Sequence, residues 1–256
     1  MNSKQLVLSA FVALAGFLPS SQGAVILSSA DGFAVLGGST VTSVGNTVLT
    51  GNLGVSPGLA ITGFGPGVVY GTTYAGGTVA SQAQTDALSA YNLLAGEAPV
   101  QHLTGQDLGG LTLGPGIRDF TTSAQLTGIL TLDAQGDPNA RFDFQIGSTL
   151  ITASSSSIRL VNGAQVDNVF WQVGTSATLG TDTAFLGTIL ANQSITLNSG
   201  ASMIGRALAL NGAVTLDNNN ISAVPELTTF WQILLGAAVF GVLQTVTVWR
   251  RKTSHK

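Results

Sequence analysis

The chain has 256 residues, of which only 8% are charged, 33 are Gly, two are His and none is Cys. Without Cys there is no disulfide scaffold, thiolate metal site or cysteine nucleophile. Two His, one of them next to last, leave little for a histidine zinc site or a Ser-His-Asp triad. Between Lys4 and Arg250 four arginines face twelve carboxylates, a net charge of −8, so nucleic acid is not expected as a partner. The apolar content of 45% argues against disorder, which combines low hydrophobicity with high charge.

Residues 1–23 read as a secretory signal peptide. Lys4 is the positive start, Leu6 to Leu18 the apolar run, and Ser21 and Gly23 the small residues before a cleavage site at Ala24. Residues 24–224 form the body. Gly63 to Gly77, rich in Gly and aromatics, reads as loop. A helix is predicted over about 79–95, with Val79, Ala83, Ala87, Leu88, Tyr91, Leu94 and Ala95 on one face. Thr78 or Ser81 would cap it and Gly96 would end it.

The rest of the body repeats. Thr-Leu recurs at Thr112, Thr131, Thr149, Thr178, Thr196 and Thr215, with spacings of 19, 18, 29, 18 and 19; the long one reads as an 18-residue period plus an 11-residue insertion. Each period holds about three short strands separated by Gly, Asn, Asp or Ser. Strands rise about 3.3 Å per residue, so 18 residues make a coil of roughly 60 Å circumference. The predicted fold is mainly β: a triangular β-solenoid, or β-helix, with one long helix packed alongside and a C-terminal transmembrane helix; that the solenoid is right-handed is implied only by the family resemblance of the body. Phe142, Phe144, Phe170 and Trp171 are expected in its lumen.

The transmembrane expectation rests on Phe230 to Trp249, 20 residues without a charge before Arg250-Arg251-Lys252. Val224-Pro225-Glu226, this span and the basic end resemble a PEP-CTERM sorting tail, with Leu227 departing from the motif. That resemblance implies a sorting and anchor segment at 225–256 and an exosortase-type protease as partner. The expected location is the inner membrane, through the C-terminal helix, and then the cell surface or the exterior.

The ten residues from Phe33 to Thr42, with Leu53 to Gly58, Gln82 to Tyr91, Asp107 to Leu113, Phe142 to Leu150 and Asn168 to Gly174, form a set of distinctive stretches along the body. Together they resemble the microbial ice-binding (antifreeze) family with a discontinuous right-handed β-solenoid. The resemblance covers about residues 25–222. It implies that the N-terminal coil lies beside the C-terminal coil, with the helix alongside, and that the protein is a monomer whose partner is the surface of an ice crystal.

Small polar segments after the Thr-Leu pairs, joined by Ser28 to Asp31 and Gly45 to Thr47 if the first coil is in register with them, supply a candidate ice face. Its residues are Ser29, Asp31, Thr47, Thr152, Ser154, Thr181, Thr183, Ser199, Ala201, Asn218 and Asn220. The family resemblance implies a Thr-Ala/Gly-X-Thr/Asn pattern on such a face, which Thr152 to Ser155 and Ser199 to Ser202 approximate. The competing reading is a surface adhesin or matrix protein that binds polysaccharide or neighbouring cells; an exposed row of aromatics would favour it. Catalysis would have to come from Asp133, Asp137 and Asp143 with Arg141, but Gly136 to Asn139 reads as a turn. No enzyme activity, metal or cofactor is expected.

Overall fold

A computed structural model describes residues 27–223. The chain winds into a solenoid of three parallel sheets. The first sheet has nine strands, in the order Thr73–Ala75, Asn52–Val55, Phe33–Gly37, Ala207–Ala209, Thr188–Ala191, Val169–Val173, Phe142–Ile146, Gly116–Phe120 and Gln101–His102. The second has seven: Ala124–Leu126, Leu150–Thr152, Ala177–Leu179, Ile195–Leu197, Val214–Asp217, Thr40–Val44 and Ala60–Thr62. The third runs from Val68–Tyr70 through Val48–Thr50, Asn220–Ser222, Ser202–Ile204, Ala184–Leu186, Ser157–Val161 and Ile129–Asp133 to Thr112–Leu113. All three sheets join the N-terminal coil to the last coil: Val35 pairs with Ala207, Val41 with Val214, and Leu49 with Ile221.

Side chains alternate along each strand, so one set fills the lumen. There Phe144 stacks on Trp171 with ring centroids 3.9 Å apart, and Phe142, Phe185, Leu197 and Leu216 are buried around them. Phe170 has the opposite parity. It belongs to a separate core with Leu36, Leu190 and Leu208, on the outer side of the first sheet. This explains why Phe33–Gly37 and Val169–Val173 are buried along their whole length. A sheet covered on both faces needs near-continuous apolar strands.

The cover is helix α1, Gly77–Gly96. It presents Ala80, Ala83, Ala87, Ala90 and Leu94 to the sheet, while Val79, Leu88 and Leu93 are exposed. Small alanines let the helix approach closely, and each outward Leu or Phe of the sheet that it buries is worth about 1.5–3 kcal/mol. Neither Thr78 nor Ser81 caps α1; the N-cap is Gly76, with no side-chain bond. The route of the chain demands a long helix. Thr73–Ala75 and Gln101–His102 are the opposite edges of the nine-stranded sheet, about 38 Å apart at 4.8 Å per strand. Twenty helical residues cover about 30 Å, and Glu97 to Val100 complete the crossing. The segment read as loop, Gly63 to Gly77, holds the strands Val68–Tyr70 and Thr73–Ala75, because pairing with Val48–Thr50 and Asn52–Val55 supplies partners that periodicity cannot show.

The coils are less regular than the Thr-Leu spacing implies. Leu150 stacks on Ala177, 27 residues on, whereas Ala177 stacks on Ile195 after 18 and Ile195 on Val214 after 19. The extra residues sit at the corner between the third and first sheets, in residues 134–141 and 162–168. Other coils turn this corner on Gly51, Gly187 or Gly205. Gly205 has φ 138°, and a Cβ there would lie 2.0 Å from the Gly187 carbonyl oxygen. Thr131 and Thr149 are not equivalent: one lies in the third sheet of its coil and the other leads into the second sheet of the next.

The expected transmembrane helix is corrected: among the described residues no helix is long and apolar enough to cross a membrane. The membrane as a partner and inner-membrane anchoring as a location rested on that helix, and no described helix supplies it. The segment that prompted them, 230–249, lies outside the described residues, as do the signal peptide at 1–23 and the tail at 225–256.

Candidate functional site

Of the three outer faces, the first sheet is covered by α1. The third is uneven: its outward rows carry Arg159, Leu186, Ile204 and Tyr70 among smaller residues. The second sheet differs. Its strand register places Thr178, Thr196, Thr215, Thr42 and Thr62 side by side on five consecutive coils, followed at the other end by Ile151 and Gln125. The alternating partners, Ala177, Leu179, Ile195, Leu197, Val214, Leu216 and Val41, point into the lumen and are buried. The threonines therefore stand outward, half-buried by one another or exposed.

Their hydroxyls are largely free for water. Thr42 Oγ1 lies 3.5 Å from Thr215 Oγ1, and Thr178, Thr196 and Thr62 make no side-chain bond among the described residues. A second outward row, Ser123, Thr149, Ser176, Ser194, Ala213, Thr40 and Ala60, is bonded along the stack. Thr149 donates to Ser123 Oγ at 2.7 Å, and the amides of Ser194 and Ala213 donate to the hydroxyls of Ser176 and Ser194. Neither row carries a charge. At the corner with the first sheet Asn211 Nδ2 donates to Asn192 Oδ1 at 2.9 Å, bonding adjacent coils to each other.

The residues selected from sequence gather mostly at the corner between the second and third sheets, and many point inward. Thr47, Thr152, Thr183 and Ala201 are buried, Thr183 with 1% exposure. Thr152 and Thr183 share a hydroxyl bond of 2.8 Å, and Gly180 N donates to Thr152 Oγ1 at 2.8 Å. Thr47 accepts from Ser43 Oγ and from Asn219 N. Buried polar groups need such partners, so these residues staple the corner rather than face outward. Ser154, Thr181, Ser199 and Asn218 occupy the turns at the rim of the second sheet. Asn218 takes φ 52° and accepts from Asn46 N. Asn220 projects from the third sheet. Ser29 lies across the molecule, bonded to Asp86 of α1, and Asp31 is ion-paired with buried Arg206. Three threonines of the exposed row, Thr178, Thr196 and Thr215, belong to the Thr-Leu dipeptide itself, so the signal there is the Thr of the pair and not the polar residues after it; Thr42 and Thr62 lie outside any Thr-Leu pair and join the row only through strand register.

The charged groups considered for catalysis are structural. Asp143 lies beneath the end of α1, bonded by Arg141 Nε at 2.7 Å, while Arg141 also pairs with Glu97. Gln145 Nε2 closes the helix end by donating to the carbonyls of Leu94 and Glu97. Burial pushes the Asp143 carboxyl up to about 6 against the opposing Arg141 bond. Asp133 and Asp137 each accept from backbone N–H two residues on, as turn residues do. Among the described residues no group of three or more His, Asp or Glu is placed to hold a metal ion.

Residues 35–222 match the family model described as Ice-binding-like. The chain belongs to this ice-binding-like family. It is 56% identical over 225 residues to an ice-binding protein of Nostoc sp. (strain HG1), with 87% of this chain and 83% of that one aligned. Among solved structures it is similar to an ice-binding protein from an Antarctic biological consortium, with TM-score 0.77, 42% identity and coverage of 86% of this chain and 96% of that one. It is also similar to one from the Antarctic ascomycete Antarctomyces psychrotrophicus, with TM-score 0.76, 37% identity and coverage of 78% and 98%. The family is an ice-binding-like one and not an enzyme family, and Asp133, Asp137, Arg141 and Asp143, from which catalysis would have had to come, hold turns and the end of α1. The family match ends at residue 222, so it lends nothing to a PEP-CTERM tail or an exosortase-type partner at 225–256.

Proposed function

We propose that this protein adsorbs to ice through the outward rows of its second sheet, and so slows crystal growth and recrystallisation. The observation that carries the reading is the uncharged row Thr42, Thr62, Thr178, Thr196 and Thr215 at the spacing of stacked strands, about 4.8 Å. That spacing is close to the repeat of oxygen rows in ice. Each threonine offers a hydroxyl to bond a water and a methyl to exclude one. Bridging waters are enthalpically close to direct hydrogen bonds. The backbone ladders below hold the row in place before contact, which lowers the ordering cost of binding. Ice and liquid water differ only in arrangement, so an in-register, rigid row is the feature that discriminates. Small hydroxyl residues, rather than an aromatic row, separate this reading from an adhesin that stacks on sugars.

Residues 1–23 would export the 24–224 body to the exterior, where ice forms. The test is nanolitre osmometry on the purified protein. Faceted crystals with arrested growth are expected; plain discs growing freely in a concentrated, folded sample would refute it.

A further inference from the structure

The threonine row stops short of the sheet. The second sheet has seven strands, yet only five carry Thr at the central outward position; the same register puts Ile151 and Gln125 on the remaining two. Ile151 is a large apolar side chain left 43% exposed. Isoleucine shares the branched Cβ of threonine but replaces its hydroxyl with an ethyl group. It therefore removes a water partner and raises the surface. Gln125 is longer still and carries three rotatable side-chain torsions, so an ordered water layer above it must first freeze the side chain. The neighbouring row continues over these coils, with Thr149 bonded to Ser123, so the backbone platform does not end where the threonines do.

We infer that Ile151 and Gln125 set the limit of the ice footprint: they confine it to the coils carrying Thr178, Thr196, Thr215, Thr42 and Thr62. This rests on the second sheet being the ice-binding face. At about 4.8 Å per coil the five-threonine row is about 19 Å long, and seven rungs would make about 29 Å. Both positions point outward from strands, where threonine is well accommodated, so the double variant keeps the fold.

The experiment compares four full-length proteins by thermal hysteresis at equal concentration, with circular dichroism as the check on folding: the natural chain, Ile151→Thr/Gln125→Thr, Ile204→Thr on the third sheet, and Thr196→Tyr. The double variant is expected to gain at least about 1.4-fold, the ratio of seven rungs to five in a repeat whose contributions add. Ile204→Thr, which makes the same chemical change on another face, is expected to leave activity unchanged. An unchanged or lower value in the folded double variant, with Thr196→Tyr inactive, overturns this inference and leaves the face assignment standing. Full activity in folded Thr196→Tyr overturns the face assignment itself. An equal gain from Ile204→Thr overturns the inference as well, by tying the effect to general surface polarity.

Discussion

Replacing Thr196 with Tyr tests the face at its weakest point for interference, the second rung of the five. Thr196 stands between Thr178 and Thr215 in register, its side chain outward and its flanking Ile195 and Leu197 buried in the lumen. A phenol in its place overlies the neighbouring rungs, since these are only about 4.8 Å away. It holds an ice plane off the whole row, not off one residue. Stability should hardly change, because surface substitutions of this kind fall within about 0.5 kcal/mol and aromatics suit strands. Thermal hysteresis should fall by roughly tenfold or more while the thermal midpoint moves by no more than about 2 °C. Thr183→Tyr is the informative contrast. Thr183 lies at the corner, buried, with its hydroxyl bonded to Thr152 Oγ1 and the Ala153 carbonyl. Overpacking there costs about 1–3 kcal/mol and each lost hydrogen bond about 1 kcal/mol, so that variant should lose roughly 3–5 kcal/mol and unfold early. Osmometry beside thermal denaturation separates the two outcomes. A folded Thr196→Tyr protein with undiminished activity would refute the reasoning, and so would a Thr183→Tyr protein of normal stability.

Gly205→Ala should destabilise by several kcal/mol, seen as a lowered denaturation midpoint, because φ is 138° and the new Cβ would meet the Gly187 carbonyl. Asp143 gives a pH dependence of definite sign. Its folded pKa, about 6, exceeds the ordinary value of 3.8, so the stability it contributes is present at low pH and lost as pH rises through 6. The protein should be about 1 kcal/mol more stable at pH 5 than at pH 7 on this account, and Asp143→Asn should flatten the difference in urea titrations at the two pH values. Asp86, held low by the Ser29 hydroxyl, and Asp133, held low by the Gln135 amide, lose their contributions only below that window. Ala87→Leu should lower the thermal midpoint without changing the ice face, since Ala87 is fully buried between α1 and the first sheet.

Much of the architecture was present in the residues alone. Short apolar runs at a near-constant interval, parted by Gly and Asn, are enough to call for stacked coils, and the Gln82–Tyr91 stretch for a helix among them. Composition excluded thiol chemistry because there is no Cys, and two His, one of them next to last, leave little for a histidine site. What sequence could not supply was parity and registration. An inward and an outward threonine look alike in the string: Thr183 and Thr196 differ only in which way their strand or turn has rotated, and that follows from pairing with coils 18 to 27 residues away. The corner insertions at 134–141 and 162–168 broke the count, so equal Thr-Leu intervals joined residues of different sheets. Phe170 reads as a lumen residue from sequence, but the helix creates a second apolar interior outside the first sheet, and Phe170 joins it together with Leu190. Local pattern depends on neighbours along the chain and is therefore legible in it. Which face a residue joins depends on the accumulated length of every turn before it, and only the closed, paired coils decide that.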